Sequence, residues 1–144
     1  MRRTIVVVAL TALALASCGG TDARLTRAEL VRRVVAACTT ARQTTASAMR
    51  ASRGSVPARV VAGMVAGQRT LVDRLAGLNP PDAAKHDFDA FRQDLRRRLE
   101  LYEQVQAAGP SGIARAIAAD RREQREIFDR LDVVNHKYGL TGCV

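Results

Sequence analysis

Two histidines, three cysteines and a row of polar residues at helical spacing are the groups in this sequence that could do chemistry. His86 has Asp82 and Asp89 at helical distances, and His136 has Asp129 and Asp132. Imidazole and carboxylate together are a donor set for a divalent metal. However, His86 lies two residues from Phe88, and His136 two residues from both Val134 and Tyr138. Two residues turn a helix by about 200°, so each imidazole points away from the apolar side. Surface ion pairing is therefore the expected role, with no metal and no cofactor. The Glu-x-x-His pairs of di-iron bundles are absent from the sequence. So are a Cys-x-x-Cys-His haem site, a glycine-rich phosphate loop after a strand, and a serine or cysteine with a credible base beside it. No catalytic residue and no enzymatic activity are expected.

The other polar group is Thr44, Gln68, Arg98, Asp120 and Gln124, which fall where apolar side chains would continue the helical repeats. On antiparallel helices at about 1.5 Å per residue, all five lie within roughly 10 Å of one height. Arg98 and Asp120 would come from neighbouring helices and could pair, since an unpartnered charge there would be strongly destabilising. Such a layer has two uses. It can fix helix register, as a polar core position does in coiled coils. It can also frame a small polar pocket for a ligand, beside the small residues of the first helix.

The elements that must hold these residues begin after a leader. Arg2 and Arg3 precede an apolar run from Ile5 to Ala16, broken by Thr11. A basic start, a short apolar stretch and small residues before a cut site make a secretory signal peptide. The run is shorter than the roughly 20 residues a membrane span needs. Leu15-Ala16-Ser17-Cys18 resembles the bacterial lipoprotein box. That resemblance implies a lipid on the Cys18 sulfur and cleavage before it, with a thiolate as the nucleophile alkylated. Two or more acyl chains, palmitate among them, then anchor the protein stably, where one would be marginal. The plainer alternative is ordinary signal cleavage with an incidental cysteine. The expected organisation is a leader over 1–17, a lipidated Cys18 with a tether to residue 25, and a helical body over 26–144. A tether of that kind reaches roughly 25 Å at about 3.5 Å per residue. The expected location is the extracytoplasmic face of the bacterial cell membrane.

Within the body, Thr26-Arg27-Ala28-Glu29 reads as a capping box, with Leu25 and Leu30 at the staple positions. Leu30, Val34, Ala37, Ala41, Thr44 and Ala48 then repeat at threes and fours to near Gly54, which suits a left-handed cap. A second helix starts near Pro57 and carries Val61, Met64, Gln68, Leu71, Leu75 and Leu78. The segment GLNPP, 77–81, stops it. A third carries Phe88, Phe91, Leu95, Arg98, Tyr102 and Val105, and AAGPSG at 107–112 breaks the chain again. A fourth carries Ile113, Ile117, Asp120, Gln124, Ile127, Leu131, Val134 and Tyr138, with Gly139-Leu140 as a Schellman ending. No alternating strand pattern competes. The expectation is all-α: an antiparallel up-down-up-down four-helix bundle.

Cys38 lies beside the apolar stripe of the first helix, and Cys143 is the penultimate residue. Outside the cytoplasm an even pair of cysteines favours a disulfide. An antiparallel fourth helix returns the chain end to the right side, and Gly139 and Gly142 let the tail double back over the roughly 18 Å to Cys38. Cys38, the segment LAGLNPPDA at 75–83 and YGLTGC at 138–143 also resemble a group of uncharacterised small secreted or lipid-anchored helical proteins of actinobacteria. That resemblance implies a disulfide-tied helical bundle and brings no activity with it.

Charge adds one more bound. There are 23 Arg and Lys against 14 Asp and Glu, a net +9. Losing Arg2 and Arg3 with the leader leaves a basic mature chain. Such a surface could meet anionic lipid, an anionic wall polymer or an envelope protein, or be simply a solvated charged face. The runs Arg96-Arg97-Arg98 and Arg121-Arg122 fit the second use. With no Trp, two Tyr and three Phe, no stacking platform for bases is visible, and export removes nucleic acid as a partner. The expected work is binding or scaffolding at the cell envelope, with small-ligand carriage in the polar layer as the first rival and metal binding as the second.

Overall fold

The computed structural model describes residues 24–140, 142 and 143. The expected leader over 1–17, the expected lipidation at Cys18 and the expected tether up to residue 23 lie outside the described residues. Helix α1, Arg27–Ala51, opens as the Thr-x-x-Glu spacing predicts. The Glu29 amide donates to Thr26 Oγ1 at 3.2 Å, and the Thr26 amide donates to Glu29 Oε2 at 2.9 Å. The Thr26 amide, together with the Thr26 hydroxyl donating to the same Oε2 at 2.7 Å, holds the Glu29 carboxyl below its ordinary pKa. Contacts with the body reach two residues ahead of Thr26. The Leu25 amide donates to the Asn79 carbonyl at 2.9 Å, Leu25 is buried, and Arg24 pairs with Asp82.

Helix α2, Val56–Ala76, starts with proline in its first turn, where a missing amide hydrogen costs nothing. Gly54 lies in the preceding link at φ +113°, and Ser52 rather than Gly54 caps α1, its amide donating to the Ala48 carbonyl. The segment GLNPP ends α2, and an arginine one helix further on serves the exposed carbonyls there. Arg92 Nη1 donates to the carbonyls of Leu75, Ala76 and Leu78 at 3.3–3.4 Å. Arg92 belongs to α3, Asp82–Ala107, whose Phe88, Phe91, Leu95, Tyr102 and Val105 are buried at the spacing read from the sequence.

The single fourth helix expected over 113–138 is instead two, so the described residues hold five helices and no strand rather than four helices. Helix α4 is Gly109–Ala119 and α5 is Arg121–Tyr138, joined at Asp120 with φ −97° and ψ 4°. The cause is a gap in the apolar stripe. Ile113 packs with Val61, Val65, Tyr102 and Val105 in a small cluster. Ile127 and Leu131 pack instead in the main core with Leu30, Val34, Leu75, Phe91 and Leu95. Between those anchors stand a small Ala116 still on the first cluster, then an exposed Ile117 and the polar Asp120 and Gln124. Nothing apolar holds a straight rod over that span, and a bend at Asp120 lets each half face its own cluster.

Neighbouring helices run antiparallel where side chains register them. Thr45 lies over Gly67 and Met49 over Gly63, so α1 and α2 are antiparallel. Arg97 meets Glu123, Asp94 meets Arg130 and Asp87 meets Tyr138, so α3 and α5 are too. The α1–α2 approach is close. A Cβ placed on Gly67 would stand 2.8 Å from the Ala41 carbonyl, and one on Gly63 would stand 2.9 Å from the Thr45 carbonyl. Gly63-x-x-x-Gly67 is thus a flat strip on α2 against which the α1 backbone lies. No helix among the described residues is long and apolar enough to cross a membrane.

Candidate functional site

The tail completes the body and builds one wall of a cavity. Gly139 adopts φ +65°, the Leu140 amide donates to the Asn135 carbonyl at 2.9 Å, and the Gly139 amide donates to the His136 carbonyl at 3.4 Å. This is the Schellman turn expected from Gly-Leu. It buries Leu140 beside the partly buried Val134 and Tyr138, and points the last residues back along the body. Cys143 then joins Cys38 on α1, the pairing expected from the sequence, with Cα atoms 5.0 Å apart and a sequence separation of 105.

Against this bridge lies a cavity of about 190 Å³. Arg42 and Thr45 of α1, Gln68 of α2, and Arg98 and Tyr102 of α3 supply its polar lining. Its apolar lining includes Ala41, Met64 and Leu71. Each polar group is positioned by a specific contact. Gln68 is 5% exposed, and its Nε2 donates to the Leu95 carbonyl at 2.9 Å, which leaves Oε1 as an acceptor. The Thr45 hydroxyl donates to the Ala41 carbonyl one turn back at 3.0 Å. Arg98 Nε donates to the Tyr102 oxygen at 3.0 Å, and the Tyr102 hydroxyl keeps its own hydrogen to give. Gly142, at φ +80°, lies against Arg42. A Cβ there would stand 2.8 Å from Arg42 Nη1, so the tail backbone and this guanidinium are in contact.

The electrostatics are lopsided. Arg98 Nη1 is enclosed and has no hydrogen-bond partner. The guanidinium carbon lies 4.7 Å from the Phe128 ring centre and 5.5 Å from that of Tyr102. Aromatic faces at this range attract a cation but accept no directed hydrogen bond from that nitrogen. No carboxylate among the described residues pairs with Arg98 or Arg42. Three cations pair across α3 and α5, while Arg96, Arg121 and Arg125 form no ion pair among the described residues. Arg97 Nε reaches Glu123 at 2.5 Å, Arg130 reaches Asp94 at 2.6 Å, and Lys137 reaches Asp87 at 2.6 Å. The Arg97 contact holds the Glu123 carboxyl below its ordinary pKa. Hydrogen bonds from Lys137 and Tyr138 do the same for Asp87.

The polar residues singled out in the sequence therefore part company. Gln68 and Arg98 line the cavity. Thr44 does not, and its neighbour Thr45 takes that place, one residue or about 100° round the helix. Asp120 sits at the α4–α5 joint, where its carbonyl accepts from the Gln124 amide at 2.9 Å, and neither residue lines the cavity. The expected Arg98–Asp120 pair is not formed, because the bend assigns Asp120 to the joint. Arg96 and Arg121 are exposed, and Arg122 pairs with Glu126 at 2.9 Å, as a solvated face requires.

The histidines are both exposed. The carboxylates flanking His86 serve cations: Asp82 pairs with Arg24, and Asp89 pairs with Lys85 at 2.7 Å and Arg92 at 2.5 Å. His136 Nε2 is 3.3 Å from Asp132. Among the described residues no three His, Cys, Asp or Glu side chains are grouped to hold a metal ion.

Five positions were not singled out from the sequence as site residues: Arg42, Thr45, Gly63, Gly67 and Tyr102. Thr45 and Tyr102 were one face or one role away from where the repeats placed them. The Gly63-x-x-x-Gly67 spacing was the readable signal that α1 and α2 approach closely, and hence that the cavity sits where that contact opens. Compared with known proteins, the chain matches no family model, no curated protein and no solved structure.

Chemically, the described lining residues present donors and a bridge sulfur surface, with neither a carboxylate nor an imidazole to carry a proton. The arrangement suits holding a ligand.

Proposed function

We propose that this protein is a lipid-anchored binding protein of the bacterial cell envelope, with the cavity beside the Cys38–Cys143 bridge as its binding site. The observation that carries the binding role is the Arg98 guanidinium at the cavity wall: Nε is taken by Tyr102, Nη1 is enclosed without a partner, and Nη2 is the nitrogen left for a ligand. A buried polar group left unpaired costs about 1–3 kcal/mol, more when charged. A residue kept only for helix register would be expected to meet that cost with a carboxylate of its own. The address rests on the leader over 1–17 and the Leu-Ala-Ser-Cys box, which support lipidation at Cys18 and an extracytoplasmic location. A disulfide across the body suits that compartment. In this reading α4 and α5 together form the fourth arm of an up-down-up-down bundle, hinged at Asp120, and the protein performs no catalysis. Scaffolding through the outer surface has less support, because the large exposed apolar residues Val56, Ile117, Phe128 and Val133 are scattered over α2, α4 and α5.

Native mass spectrometry of the full chain extracted from the membranes of the expressing bacterium tests both parts. The account expects acyl mass on Cys18 and a small-molecule adduct that Arg98→Met removes. An unacylated chain in the cytosolic fraction would refute the address. A bare chain in both wild type and variant would refute the binding role.

A further inference from the structure

Resting on that reading of the cavity, we infer that its ligand is a small organic anion: a carboxylate on an apolar body of about ten non-hydrogen atoms. Size sets the first limit. An engineered apolar cavity of about 150 Å³ takes benzene, so the roughly 190 Å³ here has room for a ring or short chain with a headgroup, and little more.

Charge sets the second limit. Arg98 is half-buried in the wall, Arg42 is exposed at the rim, and neither pairs with a described carboxylate. Two cations with no carboxylate among the described lining residues disfavour a cationic ligand by direct repulsion. They favour an anion, and the partial burial of Arg98 strengthens that preference over what water would allow. With Nε bonded to Tyr102 and Nη1 enclosed, Arg98 offers a carboxylate its Nη2 hydrogens, a charge-assisted bond. The Tyr102 hydroxyl, already accepting from Arg98 Nε, has a hydrogen left to donate beside them.

The apolar side sets the third limit. Met64, Leu71 and the disulfide give the rest of the ligand a surface that inorganic phosphate or sulfate would leave unfilled. Gln68 Nε2 gives one hydrogen to the Leu95 carbonyl and keeps a second that can be donated to a ligand oxygen. Arg42 is steadied by the tail backbone at Gly142, so it stands as a second, outer cation over the entrance.

Calorimetry on the oxidised full chain in detergent micelles tests this with three probes of nearly equal shape: phenylacetate, phenylacetamide and phenethylammonium. The expected result is at least tenfold tighter binding of phenylacetate than of either analogue, with inorganic phosphate a poor competitor. Arg98→Met should cut that preference to twofold or less. Arg42→Met, at an exposed position, should reduce it several-fold and keeps the test valid if Arg98→Met folds poorly. Equal affinity for all three probes would overturn the anion inference while leaving the cavity as a binding site. A preference for phenethylammonium, or phosphate displacing phenylacetate stoichiometrically, would also overturn it. Absence of binding by every probe would overturn it too, and the adduct measurement on extracted protein would then decide whether the binding role survives.

Discussion

Reducing the Cys38–Cys143 bridge should remove a large share of the stability of this protein. The link spans 105 residues, so it closes nearly the whole folded body into one loop. In the chain-entropy argument a loop of about 100 residues contributes roughly 4.7 kcal/mol at 25 °C, and measured bridges commonly give about 2–4. A net stability of about 5–15 kcal/mol is usual for a domain, so a loss of about 3 kcal/mol or more would be a major fraction. At about 4 °C per kcal/mol for a body of this size, the melting temperature should fall by roughly 10–20 °C. Both sulfurs are buried, with Cys38 3% and Cys143 8% exposed, so the native bridge should resist mild reductant until the tail opens. Urea unfolding followed by circular dichroism, on oxidised protein and on protein reduced while unfolded, measures the difference with no change of sequence. Helix content in dilute urea should be retained, because the apolar stripes of α1 to α3 do not depend on the bridge. A stability difference below about 1 kcal/mol would refute the reasoning, since it would mean that the loop closure seen here constrains nothing in the unfolded chain.

Three further outcomes follow from particular contacts. Gly67→Ala should destabilise by about 1–2 kcal/mol despite the better helix propensity of alanine, because the new methyl meets the Ala41 carbonyl at 2.8 Å; unchanged or raised stability in thermal melts would contradict this. Thr26→Ala should cost about 1 kcal/mol by removing the acceptor for the Glu29 amide, measurable in urea and restored in good part by Thr26→Ser. Asp87→Asn concerns pH. Lys137 and Tyr138 hold the Asp87 carboxyl below its ordinary value of 3.8, so its contribution is whole above about pH 4 and is lost as pH falls through the depressed value. The variant should therefore show a shallower loss of stability on acidification than wild type, and an identical acid limb would count against the contact.

Much of the body was readable from residue spacing because its helices carry strong local signals. Thr26 and Glu29, Pro57, the Pro80-Pro81 pair and Gly139-Leu140 each act within one or two turns, so their effect needs no knowledge of the rest of the fold. The Cys38–Cys143 link was readable for a different reason: with Cys18 set aside by the leader, two cysteines and an antiparallel return left one pairing. What spacing could not reveal was the break at Asp120. A polar residue in a helical repeat looks the same whether it faces a buried layer or marks the joint between segments that pack on different clusters. The same ambiguity moved the cavity threonine from Thr44 to Thr45. A 100° error is invisible in a stripe made of Ala and Thr, where neighbouring positions are nearly equal in size and polarity. Arg98 was placed correctly on the inner face, but its lack of a carboxylate depends on where Asp120 ended up, which is a tertiary fact.

The central claim is that the cavity beside the disulfide is where this protein holds a ligand. Nuclear magnetic resonance on the ¹⁵N-labelled full chain, titrated with phenylacetate, addresses it most directly. The account predicts saturable shifts of the Gly67 and Gly142 amides, on opposite walls of the cavity, with Arg115 and Val133 unmoved and the response abolished in Arg98→Met. Shifts confined to the α4–α5 surface, or the same shifts persisting in Arg98→Met, would contradict it.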